Sequence, residues 1–196
     1  MSARDRLRAE KLRGGFLIGR EVIVLEQTES TNDVVRQMAG GDWPEGLCVF
    51  AEQQTAGRGQ RSNTWESAAN KGLWFSILLR PKIDIVDSPR LSEWAANVIG
   101  ETIGDAVVKL PNDVYIGDRK IAGVLVEMRA QPRAPHVAIV GIGVNVNHAP
   151  SDFSDELRER ATSLAMVRRV RQDRHLLACE LLRNLDRSYA EKFSAL

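Results

Sequence analysis

Apolar positions along this chain come in short runs separated by glycine, proline and small polar residues. Residues 21–27 carry the run Val22, Ile23, Val24 and Leu25, which predicts a strand. Ser30 or Thr31 can cap a short helix running to Met38 and closed by Gly40-Gly41. Residues 46–53 predict a second strand and residues 72–79 a third, ended by Pro81. Over residues 89–104, Leu91, Trp94, Ala95, Val98, Ile99 and Ile103 recur at helical spacing. Residues 107–110, 113–116 and 120–128 predict strands, the last two joined by a hairpin turn at Gly117-Asp118. Residues 136–146 predict a further strand. Leu176, Leu177, Leu181, Leu185, Tyr189 and Phe193 define a C-terminal helix. Strands in consecutive groups, with helices between the groups, predict an α+β fold with a mixed or antiparallel sheet rather than a doubly wound one.

Two stretches break this pattern. Residues 1–14 form a basic leader, read as helical, that ends at Gly14-Gly15. The stretch 54–70 is polar and glycine-bearing, and it is long for a plain connection, which marks it as functional or disordered.

The bulk properties add mainly exclusions. At 196 residues, 43% hydrophobic and 27% charged, the chain suits one substantial globular domain that needs no disulfide or metal staple. A formal net charge of +1 gives no reason to expect nucleic acid or an anionic membrane as a partner. The charged N-terminus (Arg4, Asp5, Arg6, Arg8, Glu10, Lys11) is no signal peptide, and no apolar run approaches the ~20 residues of a membrane span. A cytoplasmic location is expected. Cys48 and Cys179 read as reduced, buried thiols, and His136, His148 and His175 lack zinc-ligand spacing.

Four segments carry candidate chemistry. Gly57-Arg58-Gly59-Gln60-Arg61 combines glycines, which let backbone N–H groups approach an anion, with arginines suited to phosphate or carboxylate. It is either an anion-binding loop or a solvated basic loop, and it is not a Walker A loop, because no Gly-Lys-Ser/Thr follows. Lys109-Leu110-Pro111-Asn112-Asp113 reads as a strand-end turn whose aspartate could pair with a lysine. In the segment from Asp118 to Glu127, Lys120 opens an apolar strand and either enters a cleft or caps a strand edge. Gly123 within that strand hints at a close approach. In Gly141-Ile142-Gly143-Val144-Asn145, the two glycines strip one strand face, leaving either a groove for a flat apolar ring or a crowded crossing.

Taken together and in order, these segments resemble the biotin protein ligase family, grouped with lipoate ligases and octanoyl transferases. Glu29-Ser30-Thr31-Asn32 resembles the family's S-T-N signature. Gln53 to Gly59 resembles its Q-x-x-G-R-G adenylate loop, followed by Trp65. Lys109 to Asp113 resembles K-W-P-N-D, Arg119 to Glu127 resembles R-K-[IL]-A-G-[IV]-L-[IV]-E, and Gly141 to Asn145 resembles G-x-G-x-N. The likeness covers residues 22–195. It implies the class II aminoacyl-tRNA synthetase-like fold of biotin/lipoate ligase catalytic domains, with a leader at 1–20 and that domain at 21–196.

The resemblance implies a biotin–[acetyl-CoA-carboxylase] ligase. Biotin and Mg-ATP would give biotinyl-5′-AMP, and a lysine of a biotin carboxyl carrier domain would then accept the biotinyl group. It assigns Ser30, Thr31, Asn32 and Gln54 to the biotin head and Gly123, Leu125, Gly141 and Gly143 to its slot. Gly57, Arg58, Gly59, Gln60, Arg61, Trp65, Asn112, Lys120 and Asn145 fall to the adenylate or ATP. Lys120, Arg58 and Asp113 fall to catalysis, with Asp113 also near the Mg2+ of the nucleotide. A homodimer is consistent with the family's habit of pairing edge strands.

The sequence departs from the family pattern in places. Gln60 stands where an arginine is common, Ser62 where a glycine is frequent, and Leu110 where tryptophan is usual. No winged helix is expected before Val22, and no SH3-like domain is expected after the last helix. The alternatives are a lipoate or octanoate enzyme on the same scaffold, or a non-catalytic biotin or adenylate binder.

Overall fold

The computed structural model of the chain describes residues 6–131 and 135–193. Seven strands form one mixed sheet: β1 (Val22–Thr28), β2 (Cys48–Gln54), β3 (Leu73–Leu79), β4 (Val107–Lys109), β5 (Asp113–Ile116), β6 (Arg119–Arg129) and β7 (Val137–Val144). Their order across the sheet is β1-β2-β3-β7-β6-β5-β4. Only β1 and β2 run parallel; every other pair is antiparallel. The α+β expectation and the hairpin at Gly117-Asp118 both hold, with strand ends shifted by one or two residues.

Helices cover the two faces unequally. α1 (Thr31–Met38) lies on one face, against β2, β3 and β7, while α2 (Ser88–Ile103) and α5 (Arg174–Phe193) pack together on the other. Two short helices, α3 (Asp155–Arg158) and α4 (Leu164–Arg168), fill the connection between β7 and α5. That connection carries no long apolar period, so the sequence predicts no element there.

The face under α2 and α5 is a continuous apolar core that includes Phe50, Phe75, Ile77, Val124, Val140, Ile142 and Val144. Phe50 and Phe75, paired across β2 and β3, stack with centroids 4.5 Å apart. Trp94 of α2 packs against Tyr189 and Phe193 of α5. Such packing excludes water and accounts for most of the hydrophobic stabilisation.

The leader contributes to this core: Leu7, Leu12 and Ile18 are buried in it. Of the helix expected over residues 1–14, positions 1–5 lie outside the described residues, and over 6–14 the chain makes a 3-10 turn at Ala9–Lys11 and no α-helix. Its backbone donors are satisfied by side chains instead. Leu7 N–H donates to Glu52 Oε1 (2.5 Å) and Arg8 N–H to His175 Nε2 (3.0 Å). Asp186 of α5 accepts from Phe16, Leu17 and Ile18 N–H at 2.7, 2.8 and 2.7 Å. Cys179, expected to be buried, is only partly so: its Sγ sits at the surface beside the leader, donating to Lys11 O and accepting from Arg13 N–H. Cys48 is fully buried, and that burial pushes its thiol pKa up.

Candidate active site

The strand register on the α1 face places small and polar residues in rows. Trp74, Gly143 and Gly123 form one row across β3, β7 and β6, and Ser76, Gly141 and Leu125 form the next. In the third row, Leu78 and Ile139 lead to Glu127. α1 covers only the side of this face nearer β2. The remainder is a cleft open to solvent, with the N-terminal turn of α1 at its inner end.

The inner end is a hydrogen-bonded network. Ser30 is the N-cap of α1 by position but makes no capping bond with its side chain. Gln54, at the end of β2, takes that role from outside: its Oε1 accepts from Thr31 N–H at 2.8 Å. Gln54 Nε2 donates to Ser67 Oγ (3.2 Å). Ser76 Oγ lies 2.7 Å from Thr31 Oγ1 and 2.6 Å from Asn32 Oδ1, and Asn32 Nδ2 donates to Glu127 Oε2 (2.7 Å). Asn32 lies directly over Gly141, where any Cβ would collide with its side-chain oxygen. Gly141 therefore makes room for Asn32 and not for a ring.

The 54–70 stretch is an ordered hairpin rather than a loose loop. Arg58 and Thr64 form a bridge, Gly59 N–H donates to Asn63 O (2.7 Å), and Trp65 N–H donates to Gly57 O (2.9 Å). This folding turns the Trp65 indole onto the glycine row. A Cβ at Gly143 would meet its ring atoms from 2.5 Å, and one at Gly123 would meet it at 3.0 Å. The Trp65 Nε1 is buried with no hydrogen-bond partner. The edge of its ring meets Trp74, which in turn meets His148, and His148 stacks on Phe153 at 5.0 Å.

Cations flank the mouth of the cleft. Lys120 Nζ pairs with Asp113 Oδ1 at 2.7 Å and lies 5.4 Å from the Trp65 ring centroid. Its backbone is fixed on both sides, by Arg160 O and Thr162 N–H. Lys120 is thus a cleft residue and not a strand-edge cap. Arg58 lines the same cleft, but its guanidinium is held bidentately by Asp33 (2.5 and 2.9 Å) and reaches Glu127 at 3.6 Å. The hydrogen bonds from Arg58 hold the Asp33 carboxyl below its usual range, against the opposing effect of burial. Arg36 joins the same cluster, paired with Asp33 and with Glu127.

Most of the assigned residues meet here. Ser30, Thr31, Asn32, Gln54, Arg58, Gly59, Gln60, Trp65, Asn112, Lys120, Gly123, Leu125, Gly141 and Gly143 all line the cleft. Asp113 and Gly57 stand just behind it, against Lys120 and against Gln54 and Trp65 respectively. Two of the assigned residues stand away from the cleft wall. Asn145 does not line the cleft; it is buried where β7 ends, its N–H donating to Ile121 O (2.8 Å) and its C=O accepting from Leu164 N–H (3.1 Å). Arg61 sits at the exposed tip of the hairpin with φ 54°, ψ 40° and does not reach the lining.

Three residues of the cleft's polar network lay outside the assignment: Ser76, Asp33 and Glu127. Ser76 left a signal, being the only polar residue in Leu-Trp-Phe-Ser-Ile-Leu-Leu of β3. Asp33 lies in none of the quoted motifs and Glu127 only closes the Arg119–Glu127 segment; folding alone brings both to Arg58.

The comparisons with known proteins agree with this architecture. The sequence profile of the Biotin/lipoate A/B protein ligase family matches residues 24–145. The chain belongs to that family. It is 38% identical over 173 residues to the bifunctional ligase/repressor BirA of Bacillus subtilis, covering 83% of this chain but 53% of that protein. It therefore spans about half the length of that relative. It is 34% identical over 208 residues to the biotin–[acetyl-CoA-carboxylase] ligase of Mycobacterium tuberculosis, covering 95% of this chain and 73% of that one. Its structure resembles that of the Aquifex aeolicus biotin protein ligase in complex with biotin and ATP, with a TM-score of 0.72 and 30% identity over 89% of this chain and 73% of the other.

Proposed function

We propose that this chain is an ATP-dependent biotin protein ligase. In the first step a biotin carboxylate oxygen attacks the α-phosphorus of Mg-ATP, forming biotinyl-5′-AMP and releasing pyrophosphate. In the second, the ε-amine of an acceptor lysine attacks the acyl carbon and AMP leaves. The observation that carries this reading is convergence: a polar network at the inner end, the Trp65 indole resting on the glycine row and the Lys120 ammonium all line one cleft.

Each part has a chemical task. The carboxylate must approach a polyanion, and the Lys120 ammonium offsets the charge developing at phosphorus. Lys120 acts as a fixed point charge, already oriented by Asp113. Asn112 stands beside it, with Nδ2 on Asp113 Oδ1 (3.0 Å), at the nucleotide end. Trp65 screens the mixed anhydride from water. Holding both substrates in one geometry supplies the remaining acceleration.

A resident metal does not fit this cleft. Among the described residues no group of three metal-ligating side chains occurs, and Asp113 is engaged by Lys120 and Asn112. Mg2+ would enter with the nucleotide, as part of that substrate. A biotin carboxyl carrier domain is the acceptor and the cytoplasm the compartment on this reading, and an edge strand of the sheet is where a homodimer would form. No helix among the described residues is long and apolar enough to cross a membrane.

Incubation with biotin, Mg-ATP and a carrier domain should add one biotinyl group to the carrier, as read by mass spectrometry. Pyrophosphate release should require both biotin and ATP. Biotin binding without pyrophosphate release would mark a binder and refute the ligase.

A further inference from the structure

Ser76 was not assigned by any motif, yet it sits at the centre of the buried network at the end of the cleft. Its position on β3 is fully buried, in a strand otherwise made of apolar residues. The network has more contacts than protons, and counting the protons fixes its direction. Glu127 can only accept, so the Asn32 amide must turn Nδ2 toward it (2.7 Å) and Oδ1 toward Ser76. Asn32 Oδ1 can also only accept, so the single Ser76 hydroxyl proton goes there, across 2.6 Å. The 2.7 Å contact between Ser76 Oγ and Thr31 Oγ1 then requires Thr31 to be the donor. Gln54 Oε1 competes for the same Thr31 proton across 3.1 Å, the longest contact of the set, and so is the weaker acceptor of the two. Gln54 Oε1 is already served there by Thr31 N–H at 2.8 Å.

We infer that Ser76 is a specificity-determining positioning residue: it anchors a one-way relay from Thr31 to Ser76 to Asn32 to Glu127, leaving Thr31 Oγ1 with only lone pairs to offer the cleft. The relay is held at its far end by charge, since Glu127 also pairs with Arg36 at 2.7 Å and Arg58 at 3.6 Å. Gly141 is part of the device, because any side chain there would push Asn32 off Ser76. A pocket wall with a fixed acceptor favours a ligand head carrying an N–H donor and rejects an isosteric head carrying an acceptor, because two lone pairs would then face each other in a dry site. A cyclic urea meets this requirement, and a plain acyl chain gains nothing from it. The inference rests on the biotin ligase reading and adds the origin of its selectivity.

The test compares binding of biotin with that of its isosteric analogue in which ring oxygens replace both ureido N–H groups. Calorimetry on the whole chain would be run for the wild type and Ser76→Ala. The wild type should prefer biotin by at least ~100-fold. In Ser76→Ala, Thr31 is free to rotate its proton toward the ligand. Biotin should then bind about 10-fold more weakly, and the preference should shrink by at least ~10-fold because the analogue loses nothing. An equal loss for both ligands, or an unchanged preference, would overturn the relay and leave Ser76 as packing. If Ser76→Ala does not fold, Ser76→Cys, close in size but a weak donor, carries the same readout. A wild type that binds biotin with no preference over the analogue sinks the relay alone. A wild type that binds neither sinks the biotin reading along with it.

Discussion

The two faces of the sheet are made by the same strands, one residue out of step, and they differ in what they tolerate. On the α2/α5 face every central strand contributes apolar side chains, and the packing is complete. On the α1 face the apolar cluster is small, centred on Val35, Leu47, Val49, Leu78, Val137 and Ile139. Beyond it the rows turn to Ser76, Gly141, Gly143, Gly123 and Glu127. The first face holds the fold; the second gives up burial to keep a cleft and its polar groups in place. Changes on the first should therefore appear in stability, and changes on the second in ligand binding and turnover.

The largest effect is expected from the one buried ion pair among the described pairs, which belongs to the structural side. Arg174 Nη1 bonds Glu52 Oε2 at 2.7 Å and Gly72 O at 3.0 Å. Arg174→Met would strand the Glu52 carboxylate and should cost about 3–5 kcal/mol in urea unfolding. A loss under 1 kcal/mol would show that water reaches Glu52 and that this side is less closed than the packing indicates.

Next comes Lys120→Ala on the cleft side. It should lower biotin-dependent pyrophosphate release by at least ~100-fold while leaving the urea midpoint nearly unchanged. Near-normal turnover would remove Lys120 from the chemistry.

The glycine row offers a sharper contrast. Gly143→Ala would drive a methyl into the rigid Trp65 ring at 2.5 Å, whereas Gly123→Ala meets the ring at 3.0 Å and the flexible end of Lys120 at 3.2 Å. Biotin affinity should fall about 10-fold in the first and under ~3-fold in the second, on the scale of overpacking costs. Equal losses in a titration would mean that Trp65 does not rest on Gly143.

The smallest effect concerns pH. Burial between Trp74 and Phe153 lowers the His148 pKa from 6.5 to about 4. The folded state keeps this imidazole neutral while the unfolded chain takes up a proton below 6.5. Its contribution is therefore complete above that pH and is lost as pH falls toward 4. Acidifying from neutral to about pH 5.5 should cost about 1 kcal/mol through this group alone. His148→Phe should flatten that slope, and an unchanged slope in the variant would assign it to other groups.

Legibility in the sequence followed the same divide. The strands and long helices were readable because their faces bury apolar side chains at regular periods, as at Leu91, Trp94, Val98 and Ile99 of α2. The small helices α3 and α4 and the docked leader were not, since side-chain bonds and irregular packing hold them. Within the cleft, motif residues such as Thr31, Gln54, Arg58 and Lys120 were identifiable from the order of the segments. Asn145 and Arg61 stand away from the cleft wall, which no motif shows, because a motif records neighbours along the chain and not the direction a backbone turns.

The linear order of residues by itself determined the α+β class, the strand sequence, the glycines that thin one face and the family. Tertiary structure alone decided that Arg58 is clamped by Asp33 and Glu127, that Trp65 lies on Gly143, and that Ser76 joins Thr31 to Asn32. The physical reason is separation. Periodicity is written into neighbouring residues, but a hydrogen bond between positions 45 apart exists only once strand register and helix packing have brought its partners within 3 Å.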